Sequence, residues 1–92
     1  MFNPQRIQQT IQATMPLAQV QVVDLVGDNN HFEVTVIAKE FEDKSMVAQH
    51  QMINEIFRPY LNSGELHALS LKTYTPQKWE LLRHSGLDPE SR

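Results

Sequence analysis

Histidine is the residue type with the widest chemical scope in this sequence, which has four histidines and no cysteine. Without cysteine, the chain has no thiolate nucleophile and no metal site held by its own thiolates. A neutral imidazole, in contrast, binds transition metals and also serves as a general base. The four histidines are His31, His50, His67 and His84.

Each histidine also has an ordinary structural interpretation. His67 lies near the start of a predicted strand, where a half-exposed ring bonded to the backbone is the ordinary role. His31 opens a predicted strand beside a turn, where it is simply a polar residue or one that supports a metal ligand. His50 lies on the apolar side of a predicted helix, so we expect it to be packed and hydrogen-bonded. We expect His84 to be solvated. Position alone therefore favours a structural role for His67 over metal ligation.

No catalytic set appears elsewhere in the sequence. It contains no Gly-rich phosphate loop, no HExxH and no GxSxG. The acids Glu40 and Glu42 flank Phe41 in a predicted connection, where solvent exposure is the simpler interpretation. Because no nucleophile is paired with a base, we predict that the protein is not an enzyme.

The charges and aromatic residues suggest contacts with partners rather than chemistry. The formal net charge is −3, and the eight basic residues are scattered, which argues against strong unspecific nucleic-acid binding. Lys72 belongs to a small basic group near the last predicted helix, which suits an acidic partner or phosphate but is more simply a solvated face. Tyr74 and Trp79 are candidate partner anchors. For Trp79, packing of that helix onto the sheet is the more common role.

The first predicted element is a short helix. Asn3 suits the N-cap, and Pro4 suits the first helical position, where its missing N–H costs nothing. An apolar stripe at four-residue spacing marks the inner side of this helix, and Pro16 ends it. The stripe consists of Ile7, Ile11 and Met15.

A hairpin is predicted next. A valine-rich strand over about 20–26 is followed by turn formers at 27–30 and by a second strand over about 31–38. The second strand alternates cleanly between two faces. Two strands joined by a short polar turn indicate an antiparallel pair.

A helical crossover leads from the hairpin to a third strand. Ser45 is suited to cap a helix over 46–60, and Pro59 is expected to break this segment into a longer and a shorter helix. The third strand is predicted over 66–73, and the long helical connection makes it parallel to the second. Thr75 then caps a last helix.

The predicted fold class is α+β, in the order α-β-β-α-α-β-α, with a mixed three-stranded sheet and helices packed on one face. Residues 1–83 form one domain, and 84–92 form a polar tail that we expect to be disordered. We expect no signal peptide and no membrane span, which makes the cytoplasm the default location.

Three segments resemble the BolA-like protein family. Residues 27–34 read GDNNHFEV and resemble the family's GDGSHF-x-V, and residues 41–45 read FEDKS and resemble F-x-G-K/M-S. Residues 67–76 read HALSLKTYTP and resemble HAL/V-S-I-K-x-x-TP, with Trp79 at the usual aromatic position. The resemblance covers about residues 7–79.

The resemblance implies a class II KH-like fold and a partnership with monothiol glutaredoxins of the CGFS type. In such heterodimers a 2Fe–2S cluster is shared, with the glutaredoxin cysteine and a glutathione thiol on one side. The family's invariant histidine, His67 here, is the ligand expected on the other side. A second family ligand lies near the hairpin turn, where only His31 fits. A homodimer without cluster stays open.

The resemblance also implies an alternative function, because DNA binding and transcriptional regulation in stress response or cell morphology have been proposed for the family. This chain departs from the family there. A basic R-H-R run is frequent in the family's second helix, whereas this sequence has Gln49-His50-Gln51. Two positive charges are therefore missing from the proposed nucleic-acid face.

Overall fold

The computed structural model describes residues 2–28 and 31–84 of the 92-residue chain. These residues form an α+β fold in the order α-β-β-α-β-α, which confirms the predicted class. The elements are α1 (Pro4–Thr14), β1 (Gln19–Asp24), β2 (His31–Ile37), a 3-10 turn (Lys39–Phe41), α2 (Met46–Ser63), β3 (Ala68–Tyr74) and α3 (Pro76–His84).

The sheet is mixed and has β2 at its centre. Its strand order is β1-β2-β3, with β1 antiparallel and β3 parallel to β2. The antiparallel pair is the predicted hairpin, and α2 lies in the crossover that a parallel connection requires. Because β2 and β3 run in the same direction, their amino ends lie side by side, with His31 paired to Ala68.

All three predicted helix caps are present. The backbone N–H of Arg6 donates to Oδ1 of Asn3 over 2.8 Å. The N–H of Ala48 donates to Oγ of Ser45, and the N–H of Lys78 donates to Oγ1 of Thr75. Each bond satisfies one of the backbone donors that a helix start leaves unpaired. The helix starts were therefore readable from local sequence.

One core lies between the sheet and the helices α1 and α2. The residues of β2 that alternate toward this face are fully buried, as is the predicted apolar stripe of α1. The fully buried large side chains are Phe2, Ile7, Ile11, Met15, Phe32, Val34, Val36, Phe41, Ile53, Phe57 and Leu66. Because Phe32 in β2 and Leu66 just before β3 are both in this core, their packing sets the positions of the amino ends of the two strands.

The predicted break at Pro59 is wrong, because α2 runs without interruption over Met46–Ser63. Proline inside a helix costs about 3 kcal/mol. Phe57 is fully buried before Pro59, and Tyr60 and Leu61 pack against the core after it. Each buried large apolar side chain contributes about 1.5–3 kcal/mol, so packing on both sides of the proline outweighs its cost.

Helix α3 contacts the end of β3 through Trp79, whose ring centroid lies 5.2 Å from that of Tyr74. Trp79 and Ile37 are both buried but lie outside the main core cluster. Strand alternation places Ile37 and its partner Tyr74 on the face opposite to Val36. Trp79 therefore packs against Tyr74 outside the main core.

The described residues cover two further sequence predictions only in part, the disordered tail and the absence of a membrane span. The disordered tail is predicted over residues 84–92. Its first residue, His84, is instead the last residue of α3, and residues 85–92 lie outside the described residues. Among residues 2–28 and 31–84, no helix has both the length and the apolar character needed to cross a bilayer.

Candidate functional site

His31 and His67 meet at the surface where β2 and β3 begin. His31 is the first residue of β2, and His67 directly precedes Ala68, the residue of β3 that pairs with His31. Their ring centroids lie 6.5 Å apart, and the ring planes are inclined by 77°. The parallel register thus brings together the two histidines for which the family resemblance implies metal ligation.

Both rings are open to solvent. The side chain of His31 is 51% exposed, and His67 is also exposed. Within the described part of the chain, the His67 ring makes no hydrogen bond. Its nitrogens are therefore available to a ligand, which the metal-binding interpretation of His67 requires.

Asp28 is a part of this site that the sequence reasoning missed. Its Oδ2 lies 3.0 Å from Nδ1 of His31, and its Oδ1 accepts the backbone N–H of His31 over 3.3 Å. An aspartate in a turn three residues before a strand is a known source of such local bonds. The three-residue spacing between Asp28 and His31 was therefore the sequence signal from which this contact was predictable.

The histidine pair fits half of a metal site. A metal–imidazole bond is about 2.0–2.1 Å long, so two rings on one ion have centroids on the order of 5 Å apart. The rings of His31 and His67 are slightly farther apart, and rotation of exposed side chains is fast. Across residues 2–28 and 31–84, no group of three or more metal-ligating side chains exists.

Of the other predicted contact residues, Lys72 and Tyr74 lie farther along β3, and Trp79 lies on α3. Lys72 is four residues beyond Ala68, which corresponds to about 13 Å of strand. Its Nζ is 2.7 Å from Oε1 of Glu33, and both side chains are partly buried. Tyr74 and Trp79 contact each other near the carboxyl end of the strand. The structure therefore separates these three residues from the histidine pair.

The two remaining histidines lie outside the candidate site. His50 is partly buried, as predicted, but its buried Nε2 has no hydrogen-bond partner among the described residues. The prediction that the His50 ring is hydrogen-bonded therefore does not hold at Nε2. His84 is 81% exposed, with Nε2 3.3 Å from Oε2 of Glu80, which confirms its predicted solvation.

Comparisons with known proteins agree with the fold. A family model described as BolA-like protein matches residues 6–78. An uncharacterized protein of Haemophilus influenzae is 41% identical over 76 residues, which is 83% of this chain and 86% of that protein. The DNA-binding transcriptional regulator BolA of Vibrio cholerae is 35% identical over 71% of this chain and 58% of its own length.

A solved structure has the same architecture. The structure of a BolA protein homologue from Coxiella burnetii superposes with a TM-score of 0.66. It is 34% identical, and the alignment covers 87% of this chain and 99% of that chain. At this identity and coverage, the likeness extends to sequence as well as fold.

Proposed function

The chain belongs to the BolA-like protein family, and from this we propose that it pairs with a monothiol CGFS glutaredoxin and shares a 2Fe–2S cluster with it. Proteins of this family are non-enzymatic, so the function lies in binding. The shared cluster would serve iron–sulfur trafficking or iron and redox sensing. We place this activity in the cytoplasm, where thiol ligands stay reduced.

The observation that carries the proposal is the exposed pair of imidazoles at the amino ends of β2 and β3. A 2Fe–2S cluster takes four protein ligands, and imidazole replaces thiolate in some clusters. His67 and His31 would supply two ligands. The glutaredoxin cysteine and the glutathione thiol would supply the others. When bound, the cluster supplies a redox couple whose potential imidazole ligation raises.

The test is reconstitution with the partner. The purified chain is mixed with a CGFS glutaredoxin, glutathione, iron and sulfide, and the visible absorption and circular dichroism of the cluster are recorded. We expect the spectrum to differ from that of the glutaredoxin alone. His67→Ala should abolish that difference, and His31→Ala should reduce or abolish it.

His84→Ala is the matched control, because His84 is an exposed histidine that lies on α3 and outside the pair. It should leave the spectrum of the mixed complex unchanged. If the complex spectrum is the same with and without the chain, cluster sharing fails. If His67→Ala has no more effect than His84→Ala, the ligand assignment fails.

The alternative function, DNA-binding regulation, is favoured by the name of the Vibrio cholerae relative. The charges of this chain favour it less, because acidic partners offset several basic side chains. The pairs are Arg6 with Glu65, Arg58 with Glu55, Lys72 with Glu33 and Arg83 with Glu80. Phosphate binding depends on such cations being available.

Salt dependence separates the two functions. A DNA-binding protein loses affinity for duplex DNA steeply as salt rises, and the slope falls when a contacting lysine is neutralised. We expect no mobility shift of a mixed-sequence duplex at low salt. A shift that weakens with salt and with Lys72→Gln or Lys78→Gln would favour the regulator instead.

A further inference from the structure

The carboxylate of Asp28 contacts His31 at two points. Oδ1 accepts the backbone N–H of His31 over 3.3 Å, and Oδ2 lies 3.0 Å from the ring nitrogen Nδ1. One contact holds the main chain where β2 begins, and the other holds the ring. The imidazole is therefore tied to its own backbone through a single carboxylate.

The chemistry of these groups decides which ring nitrogen carries the proton. An ionised carboxylate only accepts hydrogen bonds, so Nδ1 of His31 must donate to Oδ2 of Asp28. A neutral imidazole has one N–H, and its second nitrogen then carries a lone pair. Nε2 is consequently the nitrogen of His31 that remains free to bind a metal.

Metal-binding histidines commonly use this arrangement. The nitrogen that does not bind the metal donates its N–H to a carboxylate or carbonyl, which fixes the tautomer and the ring orientation. His67 lacks such a partner among the described residues, although its ring lies 6.5 Å from that of His31. The ring of His31 is thus held in one tautomer and orientation before a ligand binds, whereas the ring of His67 is not.

We propose that Asp28 is a positioning residue that holds His31 as its Nδ1–H tautomer and presents Nε2 toward the ligand shared with His67. This inference rests on the proposed role of His31 as a metal ligand. It makes His31 the preoriented ligand of the pair. His67, on the other strand, must adjust when the metal arrives.

The first experiment measures the tautomer in the metal-free chain. Long-range ¹H–¹⁵N correlation spectra of the neutral imidazoles distinguish a protonated Nδ1 from a protonated Nε2. We expect His31 to be mainly the Nδ1–H form and to lose that preference in Asp28→Ala. Asp28→Asn keeps one acceptor oxygen and should give an intermediate population. The signals of His67 should not change tautomer in either variant.

Asp24→Ala is the control for disturbance of the turn. Oδ1 of Asp24 accepts the N–H of Gly27 over 3.0 Å, so this variant removes another side-chain bond of the same turn. It leaves the carboxylate next to the His31 ring in place. The His31 tautomer should therefore stay as it is in the wild-type chain, and a shift of similar size would refute the specific role of Asp28.

The second experiment measures cluster retention in the complex with the glutaredoxin, as loss of absorbance to a competing chelator. Loss of a carboxylate that orients a metal-binding histidine typically weakens metal binding by about 10- to 100-fold. We expect Asp28→Ala to accelerate cluster loss within that range, with partial rescue by Asp28→Asn. Asp24→Ala should retain the cluster like the wild-type chain.

The outcomes separate the two claims. If His31→Ala retains the cluster as well as the wild-type chain, the ligand role fails and the inference fails with it. If His31→Ala loses the cluster but the His31 tautomer is unchanged in Asp28→Ala, only the positioning role fails. Equal cluster retention in Asp28→Ala and the wild-type chain likewise contradicts the positioning role.

Discussion

Gln49 connects three parts of the molecule through one amide. Its Nε2 donates to the backbone carbonyls of Phe41 and Lys44 over 3.3 and 2.9 Å, and its Oε1 accepts from Oγ1 of Thr73 over 2.7 Å. The side chain therefore joins α2 to the connection after β2 and to β3. The sequence analysis considered Gln49 only as a position where a positive charge frequent in the family is missing from a surface. In the structure the side chain is buried.

We predict that Gln49→Ala lowers the free energy of unfolding by about 1–3 kcal/mol, because it leaves buried polar groups without partners. Urea denaturation monitored by circular dichroism measures the change. Gln51→Ala, at an exposed position two residues later in α2, should change stability by less than about 0.5 kcal/mol. Equal unfolding midpoints for the two variants would contradict the buried role of Gln49.

At the scale of elements, α2 is the helix in which local and tertiary preferences conflict. Pro59 removes the hydrogen bond that residue 59 would donate to the carbonyl of Glu55. The helix nevertheless continues to Ser63 and ends at Gly64, whose φ of 81° suits a glycine C-cap. Burial of Phe57 and the residues after Pro59 maintains the helix against the local preference of the sequence.

We therefore expect Pro59→Ala to stabilise the protein. The variant regains a backbone hydrogen bond and relieves the ring clash, worth about 3 kcal/mol, but it loses about 1 kcal/mol because the unfolded chain becomes freer. The net gain should be about 2 kcal/mol in chemical denaturation. Pro76→Ala, at the first position of α3, should not stabilise, because proline is well suited there. An unfolding midpoint for Pro59→Ala at or below that of the wild-type chain would contradict this prediction.

At the scale of the whole molecule, β2 is the structural centre. It is hydrogen-bonded on both sides, and its residues Phe32, Val34 and Val36 are fully buried. Strand β1 lies at an edge of the sheet and has a half-exposed residue, Val23. Opening of β2 therefore requires disruption of the core. Opening of β1 requires only that its hydrogen bonds to one neighbouring strand, β2, break.

Amide hydrogen exchange should reflect this arrangement. We expect the amides of Phe32, Val34 and Val36 to exchange slowest, with an opening free energy close to that of global unfolding. The amides of β1 should exchange faster through local opening of the edge. Two-dimensional NMR after transfer into D₂O measures both. Equal protection of β1 and β2 would show that the hairpin opens only as one unit with the core.

The sequence by itself determined the elements and the family. The stripe of α1, the caps Asn3, Ser45 and Thr75, and the turn between β1 and β2 are local features, since each depends on residues within a few positions. The long crossover also required β3 to run parallel to β2. The boundaries were less accurate, because β3 begins at Ala68 and Leu66 belongs to the core before it.

Tertiary structure alone decided the distances between residues that are far apart in sequence. The register of β2 and β3 places His31 beside His67, and the core maintains α2 through Pro59. Burial of Gln49 likewise arises only when α2 closes over β3. Periodicity and spacing describe how one element is built. Packing between elements, which depends on the whole core, sets which side chains meet.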